Sequence, residues 1–272
     1  MTKHDLASRG SDDPRELDQR AALARKRYEM AAALEEAIAS RREYDSVWLA
    51  TYARHQNSVL LSLLPEDPTA TVLDLGCGVG VLLQDMVGRY TYVHGLDVSA
   101  ESLSLVGIDS PNMQGLVVGD GEHLPYRSGV FDAVVLKGVL HHIPNVDQAL
   151  QELHRVLKPG GTLLMAEPCG DHSFVRWSRG CLSKRKERYF GSAELDTYLR
   201  RHGFTPLILR RTGYVAFAFS YLLRARLAKL ARPAWFYRSC VKFLILLDEA
   251  LSVIPAVKSL NLGIIVVGKG VE

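Results

Sequence analysis

The hydrophobic positions of the chain follow a helical period first and then change to short apolar runs. From Pro14 to about Ser40, apolar residues recur every three or four positions, which predicts a first helix. A second helix is predicted from about Asp45 to a point before Pro65. Residues 1–13 have no apolar period and are expected to be disordered. These limits predict a tail, a helical cover and a main domain, at 1–13, 14–65 and 66–272.

The first hundred residues of the main domain alternate short apolar runs with helical segments. This pattern is typical of a parallel sheet with right-handed crossover helices. Five strands are predicted: Thr71–Leu75, Tyr92–Asp97, Met113–Gly119, Phe131–Lys137 and Gly161–Glu167. Helices are predicted between them: one beginning near Gly80, one near Ala100–Ser104 and one at Val146–Leu157.

The pattern in the last part of the chain predicts that the α/β domain continues there and contains a helical insertion. Ser192 is expected to be the N-cap of a helix that ends at Gly203 and leads into a strand at Thr205–Arg211. Apolar helices are predicted over about 213–260. A buried strand at Gly263–Lys269 is expected to complete the domain.

A glycine-rich turn and two acidic positions follow successive strands. Val72–Gly80 is an apolar strand that runs into three alternating glycines, which allow a ligand to lie against bare backbone. Position 81 is Val81, where a dinucleotide fingerprint has glycine, so pyrophosphate binding is disfavoured. Asp97 ends the next strand, where it can accept bonds from ribose hydroxyls, and Asp120-Gly121 follows the third strand, near the expected adenine. A plain tight turn is the alternative for the glycines alone, but the three features together favour a nucleoside ligand.

These segments resemble the class I S-adenosylmethionine-dependent methyltransferases, especially the small-molecule group that includes ubiquinone and menaquinone biosynthesis enzymes. The resemblance covers roughly residues 44–212 and specifies no acceptor. It implies an α/β, Rossmann-like fold with a seven-stranded, mostly parallel sheet, an antiparallel last strand, an N-terminal helical cover and a helical insertion before the last strand. The matching stretches are Val72–Gly80, Gly95–Ser99, Gly119–Pro125, Phe131-Asp132, Leu140–Ile143 and Leu153–Gly161.

The resemblance implies contacts to the methionine end of S-adenosylmethionine. Gly76 and Gly78 would offer close backbone contact to the methionine and ribose portion. Asp74 would orient the glycine turn and the cofactor amine. The carbonyl of Lys137 would approach the methionine amino group.

The resemblance also implies contacts to the nucleoside and a cover over it. Asp97 would bind the ribose hydroxyls, and Val98 would pack on the adenine. Asp120 with Gly121 would hold the adenine edge. Tyr44 and Tyr52 would belong to the N-terminal cover, whose tyrosine closes over the cofactor.

Methyl transfer is an in-line displacement at a sulfonium carbon. The protein supplies alignment and a dry cleft, with a base when the nucleophile must lose a proton. His141 and His142, after the fourth strand, are candidate bases because imidazole accepts a proton near neutral pH. Glu167, which ends the fifth strand, is a third candidate. The alternative roles are structural: a histidine that packs or caps the loop before Pro144, and a Glu167 carboxylate bonded to a loop amide.

The charges are divided unevenly along the chain. Residues 1–168 hold 15 basic and 23 acidic side chains, and residues 169–272 hold 18 and 7, so the net charge of +3 hides two opposed parts. The basic part favours an anionic partner. The mixture of apolar and basic residues over 213–260 predicts a cap over a hydrophobic, anionic or carrier-linked acceptor, a face on an anionic membrane, or a helical pair that packs on itself or forms an oligomer contact. The basic run at 184–188 is typical of a solvated loop, and because no RNA-binding module accompanies it, nucleic acid is disfavoured as a partner.

Cysteine use and the N-terminus indicate a cytoplasmic protein. The four cysteines form no CxxC pair and no zinc-ligand spacing, so no metal is predicted and a reducing compartment is expected. No export signal or membrane-spanning apolar stretch is present. The leading hypothesis is a methyltransferase that acts on an O, N or C atom of a hydrophobic or carrier-linked biosynthetic intermediate. The alternatives are a non-catalytic S-adenosylmethionine-binding scaffold, an enzyme that uses the cofactor for other chemistry, and an RNA methyltransferase.

Overall fold

The computed structural model describes residues 47–171, 188–212, 234–252 and 263–270. The predicted tail, the helix over 14–40, Tyr44 and the first part of the insertion lie outside these residues. The described elements, in chain order, are α1 (Val47–Leu61), β1 (Thr71–Leu75), α2 (Val81–Met86), β2 (Tyr92–Asp97), α3 (Ala100–Ser104), β3 (Met113–Val118), β4 (Phe131–Lys137), a 3₁₀ turn (Leu140–His142), α4 (Val146–Val156), β5 (Leu157–Pro168), α5 (Ser192–Arg201), β6 (Phe204–Thr212), α6 (Ala234–Ser252) and β7 (Gly263–Gly270).

The seven strands form one sheet in the order β3-β2-β1-β4-β5-β7-β6. The first five strands pair in parallel, and β7 lies antiparallel between β5 and β6. The predicted seven-stranded, mostly parallel sheet with an antiparallel last strand is therefore confirmed. The strand order reverses between β1 and β4, and the crevice beyond the carboxyl ends of such strands is where doubly wound sheets bind ligands.

The central strands are apolar on both faces because helices cover each side of the sheet. Leu73, Val134 and Leu163 belong to a cluster on the side of α4 and α5. Val72 and Val135 belong to a second cluster, on the side of α1 and α2. Successive side chains in a strand alternate between the two faces. The position of a polar residue in its strand therefore determines on which face of the sheet its side chain lies.

Most predicted boundaries are within a residue or two of the observed ones, and the contacts explain the differences at β5 and α5. The strand β5 begins at Leu157, directly after α4, because Leu157 pairs with Phe131 before the register shifts. Ser192 is the first residue of α5, and Gly191 is the N-cap. Asp171 performs the capping: its Oδ2 accepts bonds from the Ser192 backbone N–H and hydroxyl, both at 2.8 Å. A Cβ at position 191 would overlap the Asp171 carboxylate, so glycine permits this approach.

The described helix of the insertion, α6, packs on α1. The contact contains Val241, Leu244 and Ile245 of α6 against Tyr52 of α1. The opposite face of α6 exposes large apolar side chains, with Trp235, Phe243 and Leu246 all more than 60% exposed. Within the described ranges, no helix combines the length and the apolar character that crossing a membrane requires.

Candidate cofactor and acceptor site

The glycine turn after β1 is folded against β2 and β4. The N–H groups of Gly76 and Cys77 donate to the Leu96 carbonyl at 2.7 and 3.1 Å. Gly76 and Gly78 both have positive φ, at 73° and 54°. A Cβ at Gly76 would overlap the Val139 side chain, whereas a Cβ at Gly78 would have no atom within 4 Å. Gly76 therefore lets the loop after β4 pack closely, and Gly78 leaves bare backbone beside open space.

The structure brings Asp97 together with this turn. Asp97 is 3% exposed. Its Oδ2 accepts from the Gly78 N–H at 2.8 Å, and its Oδ1 accepts from the Ser99 N–H at 2.9 Å. Ser99 in turn caps α3 by accepting from the Ser102 N–H. The carboxylate is thus fixed beside the open glycine turn, with the half-buried Val98 next to it in the chain.

Asp120 and Gly121 shape the loop after β3. Asp120 Oδ1 accepts from the backbone N–H groups of Glu122 and His123 at 2.7 and 2.9 Å. A Cβ on Gly121 would stand 2.7 Å from Ile143 Cδ1, so glycine lets this loop approach the one that follows β4. The two loops therefore meet at the carboxyl edge of the sheet.

Asp74 is a buried carboxylate with an oxygen that lacks a partner. The residue is 2% exposed, and its Oδ2 has no hydrogen-bond partner among the residues that the structure describes. Burial raises the pKa of Asp74 to about 7, with the charge of Lys137 opposing this rise and that of Asp97 adding to it. Buried polar atoms are nearly always bonded, so an unpartnered carboxylate oxygen at a ligand crevice is suited to a cationic donor.

Lys137 ends β4 and reaches toward α1. Its Nζ donates to Asn57 Oδ1 at 2.7 Å, and Asn57 Nδ2 donates to Asp85 Oδ2 at 2.7 Å and to the Val81 carbonyl at 3.3 Å. Burial lowers the pKa of Lys137, while the charges of Asp74 and Asp85 raise it. This chain of contacts links α1, α2 and β4.

Sequence reasoning missed Asn57 and considered only the carbonyl of Lys137. A signal for Asn57 was present, because it lies three residues before Leu60 and seven before Leu64, on the same helical stripe. All three residues are buried. A polar residue on the buried stripe of a helix needs a polar partner, but the sequence does not show which one.

His141 and Glu167 form a close pair. His141 Nδ1 lies 2.6 Å from Glu167 Oε2, and Glu167 Oε1 accepts from the N–H groups of Val139 and Leu140 at 2.9 and 2.8 Å. Because an ionised carboxylate only accepts, Nδ1 carries the proton of a neutral His141 and Nε2 keeps its lone pair. Glu167 is buried, and both of its oxygens are already bonded. This geometry suits a residue that positions His141 better than a base that contacts the acceptor.

Two aromatic rings lie beside this pair. The His142 ring centroid is 4.0 Å from that of His141, and the Tyr189 ring centroid is 5.5 Å away. His142 is exposed, and Tyr189, which follows the undescribed segment 172–187, is half-buried. The histidines are therefore not equivalent, since Glu167 orients His141 and His142 is the more exposed neighbour.

Tyr52 has a different setting from the one expected for a cofactor cover. It is buried between α1 and α6, its hydroxyl accepts from Gln56 Nε2 at 3.1 Å, and burial together with the charge of Asp248 raises its pKa. Among the described residues of α1, Asn57 is the one that bonds to a strand end of the crevice. A direct role for Tyr52 over the cofactor stays a prediction.

Comparison with known proteins agrees with this geometry. Residues 73–165, which contain the glycine turn, Asp97, Lys137 and His141, match the family described as a methyltransferase domain. The chain contains a class I S-adenosylmethionine-dependent methyltransferase domain. The resemblance to this family and the predicted fold class are therefore confirmed.

Individual relatives match parts of this chain. A ubiquinone/menaquinone biosynthesis C-methyltransferase UbiE from Brucella canis is 31% identical over 147 residues, which are 48% of this chain and 54% of that protein. The chain thus spans about half the length of this curated relative. Phosphoethanolamine N-methyltransferase 2 from Haemonchus contortus, solved with S-adenosyl-L-methionine, has a TM-score of 0.59 and 20% identity over 80% of this chain and 53% of that one. The [4+2]-cyclase SpnF has a TM-score of 0.57 and 22% identity over 80% of this chain and 81% of that one.

The methyltransferase domain implies S-adenosylmethionine as cofactor, and the residues present fit it. The unpartnered oxygen of Asp74 suits an ammonium group, the fixed carboxylate of Asp97 suits hydroxyl donors, and the space beside Gly78 admits a ligand against the backbone. In the part of the chain that the structure describes, no group of three or more His, Cys, Asp or Glu side chains is arranged to hold a metal ion.

Proposed function

We propose that the protein transfers a methyl group from S-adenosylmethionine to a proton-bearing O, N or C atom of a small biosynthetic intermediate. The observation that carries the proposal is the pair His141 and Glu167, held beside a glycine turn suited to the cofactor. The bound cofactor supplies an electrophilic methyl group on a positively charged sulfur. The protein supplies binding, orientation and a base.

In this proposal, two carboxylates hold the cofactor. Asp74 accepts from the ammonium of the methionine end, and Asp97, fixed by Gly78 and Ser99, accepts from the ribose hydroxyls. Val98 packs on the adenine, and the Asp120-Gly121 loop holds the adenine edge. Alignment matters because methyl transfer requires the nucleophile, the carbon and the sulfur to lie in line.

His141 acts as the base in this proposal. Its Nδ1–H donates to Glu167, so Nε2 has the lone pair needed to take the proton from the acceptor. Glu167 fixes this tautomer and stabilises the imidazolium that forms. Because Val139 both donates to Glu167 and packs at Gly76, the base is positioned relative to the cofactor turn by one short loop.

A hydrophobic or carrier-linked acceptor is the class that the surroundings support. The rings of His142 and Tyr189 lie beside His141 and offer flat surfaces to an aromatic or quinol-like molecule. The UbiE relative is named as a C-methyltransferase of ubiquinone and menaquinone biosynthesis, so a carbon atom of a quinone precursor is also a candidate acceptor. The contact of α6 with α1 supports the hypothesis that the insertion forms a cap over the acceptor. Contact with an anionic membrane, an oligomer contact and a cytoplasmic location stay predictions.

The test is turnover with isotopically labelled S-adenosylmethionine and a panel of acceptors: a methoxylated benzoquinol with and without an isoprenoid tail, a simple phenol and phosphoethanolamine. We expect S-adenosylhomocysteine to form with a quinol or phenol, and the product to gain one labelled methyl group. Cofactor binding without any turnover would favour the scaffold alternative. A product of unchanged mass would favour other cofactor chemistry, such as the cyclisation named for SpnF.

A further inference from the structure

The helix α6 has two apolar faces, and the residues that the structure describes cover one of them. On the covered face, Val241, Leu244 and Ile245 pack against Tyr52 of α1 and are at most 9% exposed. The other face carries four large apolar side chains that are exposed: Trp235 at 67%, Phe243 at 64%, Leu246 at 62% and Phe236 at 40%.

These four exposed side chains form one continuous stripe along α6. Trp235 and Leu246 are eleven residues apart in the chain, and Phe236 and Phe243 are seven residues apart. Both spacings return to nearly the same side of a helix, so the two pairs form neighbouring rows. The stripe extends over about three turns of the helix. It is therefore an organised surface and not a set of scattered apolar residues.

Two cationic side chains border this stripe. Arg238 and Lys242 are both exposed, and Lys242 follows Trp235 by seven residues, which places it beside the tryptophan. The acidic residues of α6 are Asp248 and Glu249, which come after the stripe in the chain. Asp248 is buried toward α1, where its charge acts on Tyr52. The edge of the stripe next to Trp235 is therefore basic.

The sequence around α6 carries charges of one sign. From Thr197 to Leu247 the chain contains ten Lys and Arg residues and no Asp or Glu. The positive potential of such a stretch attracts an anionic surface. A second copy of this chain, docked symmetrically on the stripe, would place the same cations opposite one another, and like charges at an interface are unfavourable. The charge pattern thus favours an anionic partner over self-association.

We propose that the exposed stripe of α6 docks on the surface of an anionic lipid bilayer. Helices that lie in a membrane interface insert Trp, Phe and Leu side chains at the acyl boundary and keep Lys and Arg at the anionic headgroups. A bilayer accepts the convex face of a single helix, whereas a protein partner must present a groove of matching shape. The helix would lie flat on the membrane, with its opposite face held by α1. The inference goes beyond the proposed methyl transfer and does not depend on it.

The test is co-sedimentation of the full chain with sucrose-loaded vesicles. Vesicles of phosphatidylcholine alone are compared with vesicles of an equal mixture of phosphatidylcholine and phosphatidylglycerol. We expect the protein to bind the mixed vesicles roughly tenfold or more tightly than the neutral ones, and high salt to weaken this binding. Equal affinity for the two kinds of vesicle, or no binding to the mixed vesicles, would overturn the inference.

Two double variants separate the apolar contribution from the charged one. Trp235→Ser with Phe243→Ser should weaken binding to the mixed vesicles by roughly 10- to 100-fold. Arg238→Gln with Lys242→Gln should weaken it by roughly 10- to 30-fold and reduce its dependence on salt. Because all four side chains are exposed, the thermal unfolding midpoint should stay close to that of the unmodified protein.

Matched control variants lie elsewhere on the surface. Leu116→Ser with Val118→Ser removes two exposed apolar side chains from β3, and Arg200→Gln with Arg201→Gln removes two exposed cations from α5. Each control should bind the mixed vesicles with nearly the affinity of the unmodified protein. A loss in a control as large as that in its α6 counterpart would contradict docking through α6.

Quenching of tryptophan fluorescence by brominated phosphatidylcholine in the mixed vesicles identifies the inserted residue. The chain has three tryptophans, and most of the quenching should disappear in Trp235→Phe, which keeps an apolar ring at this position. Equal quenching in Trp235→Phe would show that another part of the chain enters the lipid. Dimers that form without lipid and are lost in Trp235→Ser with Phe243→Ser would assign the stripe to a second copy and overturn the inference.

Discussion

Two buried carboxylates stand at the same edge of the sheet and on opposite faces. Asp74 lies one residue before the end of β1 on the side of α1 and α2, and Glu167 lies one residue before the end of β5 on the side of α4 and α5. They are 2% and 3% exposed. Glu167 accepts two backbone N–H bonds and lies 2.6 Å from His141 Nδ1, whereas Asp74 Oδ2 has no partner within the described ranges.

The difference shows that burial alone does not reveal what a carboxylate is for. The protein itself supplies donors to both oxygens of Glu167, so its role is complete before any ligand arrives. Asp74 keeps an unpartnered oxygen, and burial raises its pKa to about 7. A carboxylate in this condition gains from a cationic donor, which the described part of the chain does not provide to Asp74 Oδ2. Glu167 is therefore fully bonded before any ligand binds, whereas in our proposal the ligand supplies the missing donor to Asp74.

The largest effect should come from Glu167→Gln. The glutamine oxygen can still accept from Val139 and Leu140, but its amide nitrogen then donates to His141 Nδ1 and moves the imidazole proton to Nε2. The base would be in the wrong tautomer, so kcat should fall by roughly 10²- to 10⁴-fold while S-adenosylhomocysteine affinity is unchanged. Steady-state kinetics and calorimetry check this. His142→Gln is the neighbouring control and should lose far less; an equal loss would remove the distinction between the histidines.

Glu167→Ala should destabilise the fold. Without the carboxylate, the buried N–H groups of Val139 and Leu140 and the His141 Nδ1–H lose their acceptor, which costs about 2–4 kcal/mol in the free energy of unfolding. Urea unfolding measures this loss. Unchanged stability would mean that Glu167 is not the structural acceptor of this loop.

Asp74→Asn should weaken ligand binding. The amide has nearly the same shape but no charge to offer an ammonium, so the Kd for S-adenosylhomocysteine should rise by roughly 10- to 100-fold. Equilibrium dialysis with labelled ligand measures this Kd without relying on the heat of binding. Asp97→Asn is the matched control, because it removes the neighbouring carboxylate and should weaken 5′-methylthioadenosine as well. Loss of 5′-methylthioadenosine affinity in Asp74→Asn would place Asp74 at the nucleoside.

The smallest expected effect is a pH-dependent change in the free energy of unfolding of Asp74→Asn. The pKa of Asp74 is raised on folding, so its ionisation lowers stability progressively from about pH 4 to about pH 7. The Asn variant should be more stable than the unmodified protein at pH 8, by at least about 1.4 kcal/mol, the equivalent of one pKa unit. The difference should shrink toward pH 4. Chemical unfolding at the two pH values tests this, and a variant less stable at pH 8 would contradict it.

The fold could be predicted because the strong signals are local. The apolar runs of β1, β2 and β4 gave their bounds, and the glycines marked the turn. The beginning of β5 was wrong because pairing of Leu157 with Phe131 extends the strand through Lys158–Gly161, where the local sequence favours a turn. Ser192 was wrong as N-cap because its helix is capped by Asp171, a contact formed through folding.

The candidate site was predicted as a set of residues but not as a set of contacts. His141 and Glu167 were separate candidates because they lie 26 residues apart, and only adjacent β4 and β5 place them in contact. Asn57 was missed because its partner Lys137 is 80 residues away. The contrast between Asp74 and Glu167 depends on how many donors surround each oxygen, and that number follows from the folded backbone.

The most direct test is the pH dependence of S-adenosylhomocysteine binding, measured by calorimetry from pH 5 to pH 8 for the unmodified protein and Asp74→Asn. The ammonium requires an ionised Asp74, so below about pH 7 binding must release the Asp74 proton and affinity should fall up to tenfold per pH unit. Above pH 7 the affinity should level off. The account predicts this slope in the unmodified protein and a flat profile in the Asn variant. Identical profiles in the two proteins would contradict it.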